Sequence, residues 1–358
     1  MGLSDNKQWQ EDIDKVLSDL DLNRLAGRKV MITGSTGLIC SSVVDVLIRW
    51  NIVHDEKIII YAVSRNTDAV RDRFKPYSTE PWFETDRYDA TEPIDGLRSD
   101  CDYIIHGAGN ASPGNIVREP VETMVANING LMNLLDYSRK NGVKRLLYIS
   151  SSEVYGRRET VDDVRADKLF TTKDYGYIDI LDPRSSYSSA KRAGETLCVS
   201  YADEYKMDSV IVRPGHVYGP TAKQSDNRVS SAWVYAVARG QDIVMKSDGS
   251  QIRSYCYAVD AASAILKVLL SGESAHAYNI SNPNSVISIK ELAEIMAHAG
   301  GVNIKYDLPN EAERKGFNPM PNSSIDSKEL MELGWEGKFD AKEGIGHTIE
   351  ILRELMEN

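Results

Sequence analysis

The chain has 358 residues, 42% of them hydrophobic and 27% charged, with a formal net charge of −11. This is an ordinary composition for a globular protein, long enough to bury a large core as one domain or two interlocked ones. The acidic balance argues against nucleic acid as the main partner, and no apolar run of about 18 residues is present to span a membrane.

The polar, acidic N-terminus lacks a basic-then-apolar signal sequence, so the expected location is the cytoplasm. Cys40, Cys101, Cys198 and Cys256 form no C-x-x-C pair and read as reduced, mostly buried residues. The six histidines are scattered, and no metal site is expected.

In chain order, Ile13, Val16, Leu17 and Leu20 recur at helical spacing and predict a helical extension over residues 1–26. β-rich runs follow at 29–33, 57–63, 102–106, 145–150 and 209–213, with helical stretches near 38–50, 120–140 and 186–206 between them. This alternation predicts an α/β, Rossmann-like, doubly wound parallel sheet over 27–213. Its strands lack period-2 patterning, as strands buried on both faces do. Beyond residue 214 the regularity loosens, and helices near 228–239, 260–271 and 288–299 predict a smaller C-terminal α/β lobe over 214–358, interlaced with the first and binding substrate. The acidic stretch 156–185 is long for a connection and is a candidate lid or dimer-contact loop.

The first strand runs into "TGSTGLIC", a glycine turn opening a helix. Gly34 can take backbone angles closed to other residues, Gly37 lets a pyrophosphate approach, and the helix amides then face the phosphates. The third glycine of the usual spacing is replaced by Cys40, small enough for a helix–strand contact. The position after a strand and before a helix points to a dinucleotide, NAD or NADP. The second strand ends at Ser64 and Arg65 with no acid, which leans toward NADP because arginine pairs with a 2′-phosphate; Arg65 also reads as a solvated loop charge. Asp89, where a third strand should end, can accept from an adenine amino group.

"YSSAK" sets Tyr187 and Lys191 one helical turn apart. A lysine there can lower the tyrosine's pKa, making it a base for a hydroxyl proton while hydride leaves the same carbon. "LLYISSSEVYG" ends a strand at the carboxyl edge of the sheet. Ser151 can bind the same hydroxyl, and Glu153 can accept a carbon-bound proton made acidic by oxidation; Glu153 also reads as a helix-capping residue.

With "HGAGNASP", "ANINGLMNLL", "RPGHVYGP" and "GSQIRSYCYAVDAASAI", these segments resemble the extended short-chain dehydrogenase/reductase superfamily, in its nucleotide-sugar epimerase/dehydratase branch, from about residue 27 to 350. The resemblance implies that Gly34, Gly37, Leu38 and Ile39 line the pyrophosphate. It also implies that Ser64, Arg65 and Asp89 flank the adenosine, with Gly107 and Ala108 beneath it and Val217 near the nicotinamide. Tyr187 and Lys191 become base and partner, and Ser151 the hydroxyl binder. Arg253 grips the diphosphate, helped by Arg228, while Ser112, Ser152 and His216 contact substrate. A homodimer is implied, with the 120–140 and Tyr187 helices meeting their copies; Leu131, Leu134, Leu135, Leu197 and Val199 suggest apolar residues on more than one face.

His216 replaces an asparagine common among relatives, and Ser152 stands where thymidine-linked dehydratases carry Asp. The implied activity is transient oxidation of a nucleotide-diphosphate sugar, ending in epimerisation or dehydration. Decarboxylation stays open, as do an NADPH-dependent keto-sugar reductase and, from another class, a non-catalytic NADP-binding scaffold.

Overall fold

The structure is a computed structural model and describes residues 2–94, 96–158, 168–307 and 320–357. The first half runs α1 (Lys7–Leu17), β1 (Lys29–Thr33), α2 (Leu38–Val53), β2 (Ile59–Val63), α3 (Thr67–Arg73), β3 (Phe83–Glu84), β4 (Tyr103–His106), α4 (Pro113–Arg118), α5 (Pro120–Asn141) and β5 (Arg145–Ile149). Then come α6 (Ser186–Tyr205), β6 (Ser209–Pro214), β7 (His216–Tyr218), α7 (Val229–Ala238), β8 (Ile243–Met245), β9 (Ile252–Tyr257) and α8 (Ala258–Ser271). The chain closes with β10 (Ala277–Ile280), β11 (Val286–Ser288), α9 (Ile289–Gly300), β12 (Ile304–Tyr306), α10 (Lys328–Glu332) and α11 (Ala341–Glu357).

Seven strands form one parallel sheet in the order β10-β6-β5-β4-β1-β2-β3. The chain leaves β1 through β2 and β3 on one side and returns to β4 on the other. That reversal opens a crevice at the carboxyl ends of β1 and β4, where such sheets bind ligands. Side chains alternate across the sheet, so Val30 and Ile32 enter a core shared with α1, α2 and α8, while Met31 enters the core beneath α5 and α6. β10 lies beyond residue 213 yet forms the sheet's edge beside β6, so the chain after residue 213 completes the sheet. Two smaller sheets, β11-β9-β7 and β12-β8, are formed entirely by the chain after residue 213.

The N-terminal extension is integral to the body. Asn6 caps α1 by accepting from the Trp9 amide at 3.0 Å. The buried Trp9 indole donates to Asp45 of α2 at 3.1 Å, and Arg73 pairs with the same carboxylate. Asp12, also buried, accepts from Tyr257 at 2.8 Å and meets His347 Nδ1 at 2.9 Å. Thus α1 ties α2 to β9 and α11.

Part of the expected 156–185 loop, residues 159–167, lies outside the described residues. The rest folds back onto the body: Arg157 bridges Tyr177, and Gly176 donates to the Tyr155 carbonyl at 2.7 Å. The apolar residues taken as lying on more than one face of α5 and α6 divide between the core and the surface. Leu131, Leu134 and Leu135 are fully buried against the chain's own sheet, and the large apolar residues exposed on α5 and α6 are Val121, Met124, Met132, Val199 and Tyr205.

Trp9→Ala should cost about 3–5 kcal/mol, because it opens a cavity and strips a partner from buried Asp45. Urea unfolding measures this. Trp9→Phe, which keeps most of the volume, should cost about 1–2 kcal/mol.

Candidate active site

The glycine turn packs its backbone tightly, and at Gly34 it takes a backbone conformation that favours glycine. Gly34 has φ +72°, and a Cβ there would lie 3.0 Å from Gly107 and the Ala108 amide. The turn after β1 and the shelf after β4 are therefore in direct contact. Gly37 is the N-cap of α2 with no side chain to satisfy the first amides, and a Cβ on it would crowd the Gly34 carbonyl at 3.1 Å. Leu38 is buried and Ile39 half-buried at the start of α2. Cys40 is buried, with its sulfur in the space a Gly107 side chain would need, so the small residue in place of the third glycine packs helix against sheet. Free amides at a glycine-walled helix N-terminus fit a dinucleotide's pyrophosphate.

At the end of β2, Ser64 pairs with Arg87 in a parallel bridge, and Arg65 is exposed. Asp89 is drawn toward Arg65 electrostatically, yet it also closes its own turn by accepting from the Thr91 amide and hydroxyl at 2.9 and 2.8 Å. Desolvation opposes the ionised carboxyl, but the Thr91 bonds, Arg65 and Arg87 outweigh it and hold its pKa below the usual range.

Tyr187 and Lys191 lie on the first turns of α6, facing the end of β5. The Tyr187 hydroxyl hydrogen-bonds Ser151, whose Oγ also accepts from the Glu153 amide at 3.2 Å. Ser151 thereby caps the short helical turn Ser152–Tyr155, which sets both Ser152 and Glu153 in place. Lys191 is buried, donates from Nζ to the Ile149 carbonyl at 2.8 Å, and lies 4.6 Å from the Tyr148 ring centroid and 5.7 Å from that of Tyr187.

The electrostatics differ from the simple expectation that Lys191 lowers Tyr187. Burial raises Tyr187 to about 12; the Ser151 hydrogen bond pulls it back, Glu153 pushes it up, and Arg228 eases it down. Lys191 is itself pushed down to about 7 by desolvation, with Glu195 the strongest opposing charge. The interior resists both ionised forms. Glu153 is open to solvent but walled by protein, as a side chain in a cleft is. Desolvation raises its carboxyl despite Arg184 and Arg253 nearby.

Arg184 is the residue that motif reading missed. It precedes Tyr187 by three positions on the turn Pro183–Ser185, and the only available signal was a cation just before the helix. Arg253 is buried, and Nη1 donates to the Ile252 carbonyl at 2.8 Å. Arg228 is engaged by Asp226, with Nε 3.0 Å from each carboxylate oxygen. His216 lies beside Tyr255, their ring centroids 5.7 Å apart. Ser112 is the N-cap of α4, whose Gly114 lies against Asn227 just before Arg228. Val217 is buried in the main core, off the face that carries His216.

The model of the NAD dependent epimerase/dehydratase family matches residues 30–281. UDP-glucuronic acid decarboxylase 6 of Arabidopsis thaliana is 30% identical over 328 residues, covering 91% of this chain and 89% of the relative. UDP-glucuronic acid decarboxylase 1 of Xenopus tropicalis is 27% identical over 354 residues, covering 96% and 75%. Among solved structures, UDP-glucose 4-epimerase of Thermotoga maritima with UDP-glucose superposes with a TM-score of 0.74 at 22% identity, covering 92% of this chain and 99% of the other. A double mutant of the dTDP-glucose 4,6-dehydratase DesIV from Streptomyces venezuelae, with NAD bound, gives 0.74 at 21% identity, covering 91% and 97%. These two share the fold.

The buried ammonium of Lys191 has a measurable consequence. Its folded pKa lies below the unfolded value of about 10.4, so its burial cost is fully present below about pH 7 and is relieved as pH rises between the two. Lys191→Met should therefore raise the melting temperature of the cofactor-free protein, more at about pH 6 than at about pH 9. Destabilisation at the lower pH would contradict that cost.

Proposed function

The chain belongs to the NAD dependent epimerase/dehydratase family, and we propose that it oxidises the sugar of a nucleotide-diphosphate sugar transiently, returning the hydride before product leaves. The observation that carries this reading is one cleft holding the Ser151–Tyr187 hydrogen bond, Glu153 with its raised pKa, and the buried Arg253. A reductase or a scaffold has no use for a carboxylate held ready as a carbon acid in that cleft.

A bound nicotinamide dinucleotide supplies the hydride acceptor and, when oxidised, a positive charge. The glycine turn through Ile39, the Gly107–Ala108 shelf, the Ser64–Arg65 strand end with Asp89, and Val217 are the residues proposed to hold it. Arg65, exposed at a strand end without an acid, supports NADP, whereas DesIV is complexed with NAD. Ser151 and Tyr187 hold the reacting hydroxyl, and Tyr187 takes its proton as hydride leaves. The resulting ketone makes the neighbouring carbon a site of proton exchange: in an epimerisation or dehydration Glu153 receives the acidified C–H proton, whereas in a decarboxylation it delivers one. Arg253 holds the diphosphate, supplying the positive charge that the net −11 conceals.

The sugar best supported is a uronic acid. Arg184 and Arg253 both face Glu153, so an acidic sugar would meet cations at the reacting end, and the curated relatives are UDP-glucuronic acid decarboxylases. From a 4-keto uronic acid, CO2 leaves with the C–C electron pair passing to the ketone oxygen. Glu153 in its protonated form then donates its proton to the ring carbon, restoring the ketone. The hydride and the Tyr187 proton return to that ketone, and Glu153 regains a proton from solvent. A homodimer through the exposed apolar residues of α5 and α6 belongs to the same proposal.

Mixing dinucleotide-loaded protein with UDP-glucuronic acid should give UDP-pentose and CO2 with no net consumption of cofactor. Tyr187→Phe should lower turnover by about 10²–10⁴-fold. Glu153→Gln should allow oxidation but stall the later proton transfer at carbon, so reduced nicotinamide accumulates. Net oxidation of NADPH by wild type, with Glu153→Gln fully active, would establish a reductase instead.

A further inference from the structure

His216 and Arg253 form a polar pair that the protein leaves incomplete. β7 and β9 run parallel, and their register sets His216 opposite Tyr255. Alternation along β9 then puts Arg253 and Tyr255 on the same face as His216. From the head of α7, Arg228 adds its charge, already balanced by Asp226. Glu153 acts on Arg253 from the turn after β5. Among the described residues these are the charged and titratable groups that face the imidazole directly or through Arg253.

His216 Nδ1 is buried with no hydrogen-bond partner. Arg253 spends one nitrogen on the Ile252 carbonyl, and no other bond from its guanidinium is found among the described residues. An orphaned ring nitrogen beside an unpaired guanidinium is a costly arrangement that an anionic ligand would complete. Burial, with Arg253 and Arg228 alongside, pushes the imidazole down to about 3, so His216 is neutral in the ligand-free site.

We propose that His216 makes nucleotide-sugar binding proton-linked: as the diphosphate docks against Arg253, the imidazole takes up one proton from solvent and donates a hydrogen bond to a phosphate oxygen. This rests on the nucleotide-sugar reading above. The physical basis is the change of sign in the local field. Free, the imidazole faces two guanidinium groups; with ligand bound, the diphosphate offsets both and favours imidazolium. An asparagine at this position would present a fixed amide and have no proton to gain.

The test is calorimetry of UDP-glucose binding to NAD-saturated protein in two buffers of different ionisation enthalpy. UDP-glucose is suitable because its diphosphate diester does not titrate near neutral pH. The expected result is uptake approaching about one proton per site, with Kd rising by up to about tenfold per pH unit until the bound-state pKa is passed. His216→Asn, with His216→Gln as a second variant, should still bind and lose both the uptake and the slope. Binding by wild type without proton uptake, or uptake unchanged in the variants, overturns the proposal and leaves the nucleotide-sugar reading standing. No binding of UDP-glucose or of its CDP, GDP and dTDP counterparts overturns both.

Discussion

The site depends on the buried ion pair between Glu195 of α6 and Arg213 of β6. Arg213 donates to both carboxylate oxygens at 2.9 and 2.6 Å, and Ser150 adds a third bond to Glu195 at 2.6 Å. The remaining Arg213 nitrogen reaches Tyr155 and the Thr172 carbonyl, each at 3.0 Å. Tyr155 in turn donates to Asn279 of β10, which donates to the Phe170 carbonyl. Breaking such a pair costs about 3–5 kcal/mol by leaving a charge buried alone. Here it would also unfasten the helix bearing Tyr187 and Lys191 from the turn bearing Ser151 and Glu153. Arg192 doubles the link, donating to the carbonyls of Val154 and Gly176 at 2.7 Å.

Around this satisfied network lies a cleft whose charges are not satisfied. Lys191, His216 and Arg253 are each buried where the cationic form is disfavoured, and Glu153 and Tyr187 are held where the anion is. The contrast divides the labour. Glu195, Arg213 and Asn279 fix geometry with complete hydrogen bonding, while the facing residues keep unmet electrostatic demand for ligands. The positive charge that an acidic protein keeps here sits on the guanidinium groups of Arg184, Arg228 and Arg253.

The Rossmann sheet was legible because five apolar runs alternate with helical stretches, and β1, β2, β4, β5 and β6 fall on those runs. Family membership was legible because the motifs occur in order along the chain. The third strand was expected to end at Asp89, but β3 is only the pair Phe83–Glu84, too short to leave a pattern; β10, a four-residue run far from its β6 neighbour in sequence, was not legible. α11 escaped because Gly344, Gly346 and His347 blur a stripe whose buried members are Ile345, Ile349 and Leu352. Within the site, spacing alone brought Tyr187 and Lys191 together, but the direction of their pKa values is set by burial, which spacing does not carry. Arg184 was invisible for a related reason: its charge acts on Glu153 across 31 positions of chain, and no local pattern carries that.

The central claim is that the cofactor is recycled on the protein rather than consumed. The most direct measurement is to denature freshly purified protein and identify any released dinucleotide by mass spectrometry, with its stoichiometry. The account predicts close to one NAD or NADP per chain, retained because the hydride returns to the sugar in every turnover. A site found empty that binds added NADPH reversibly would contradict it.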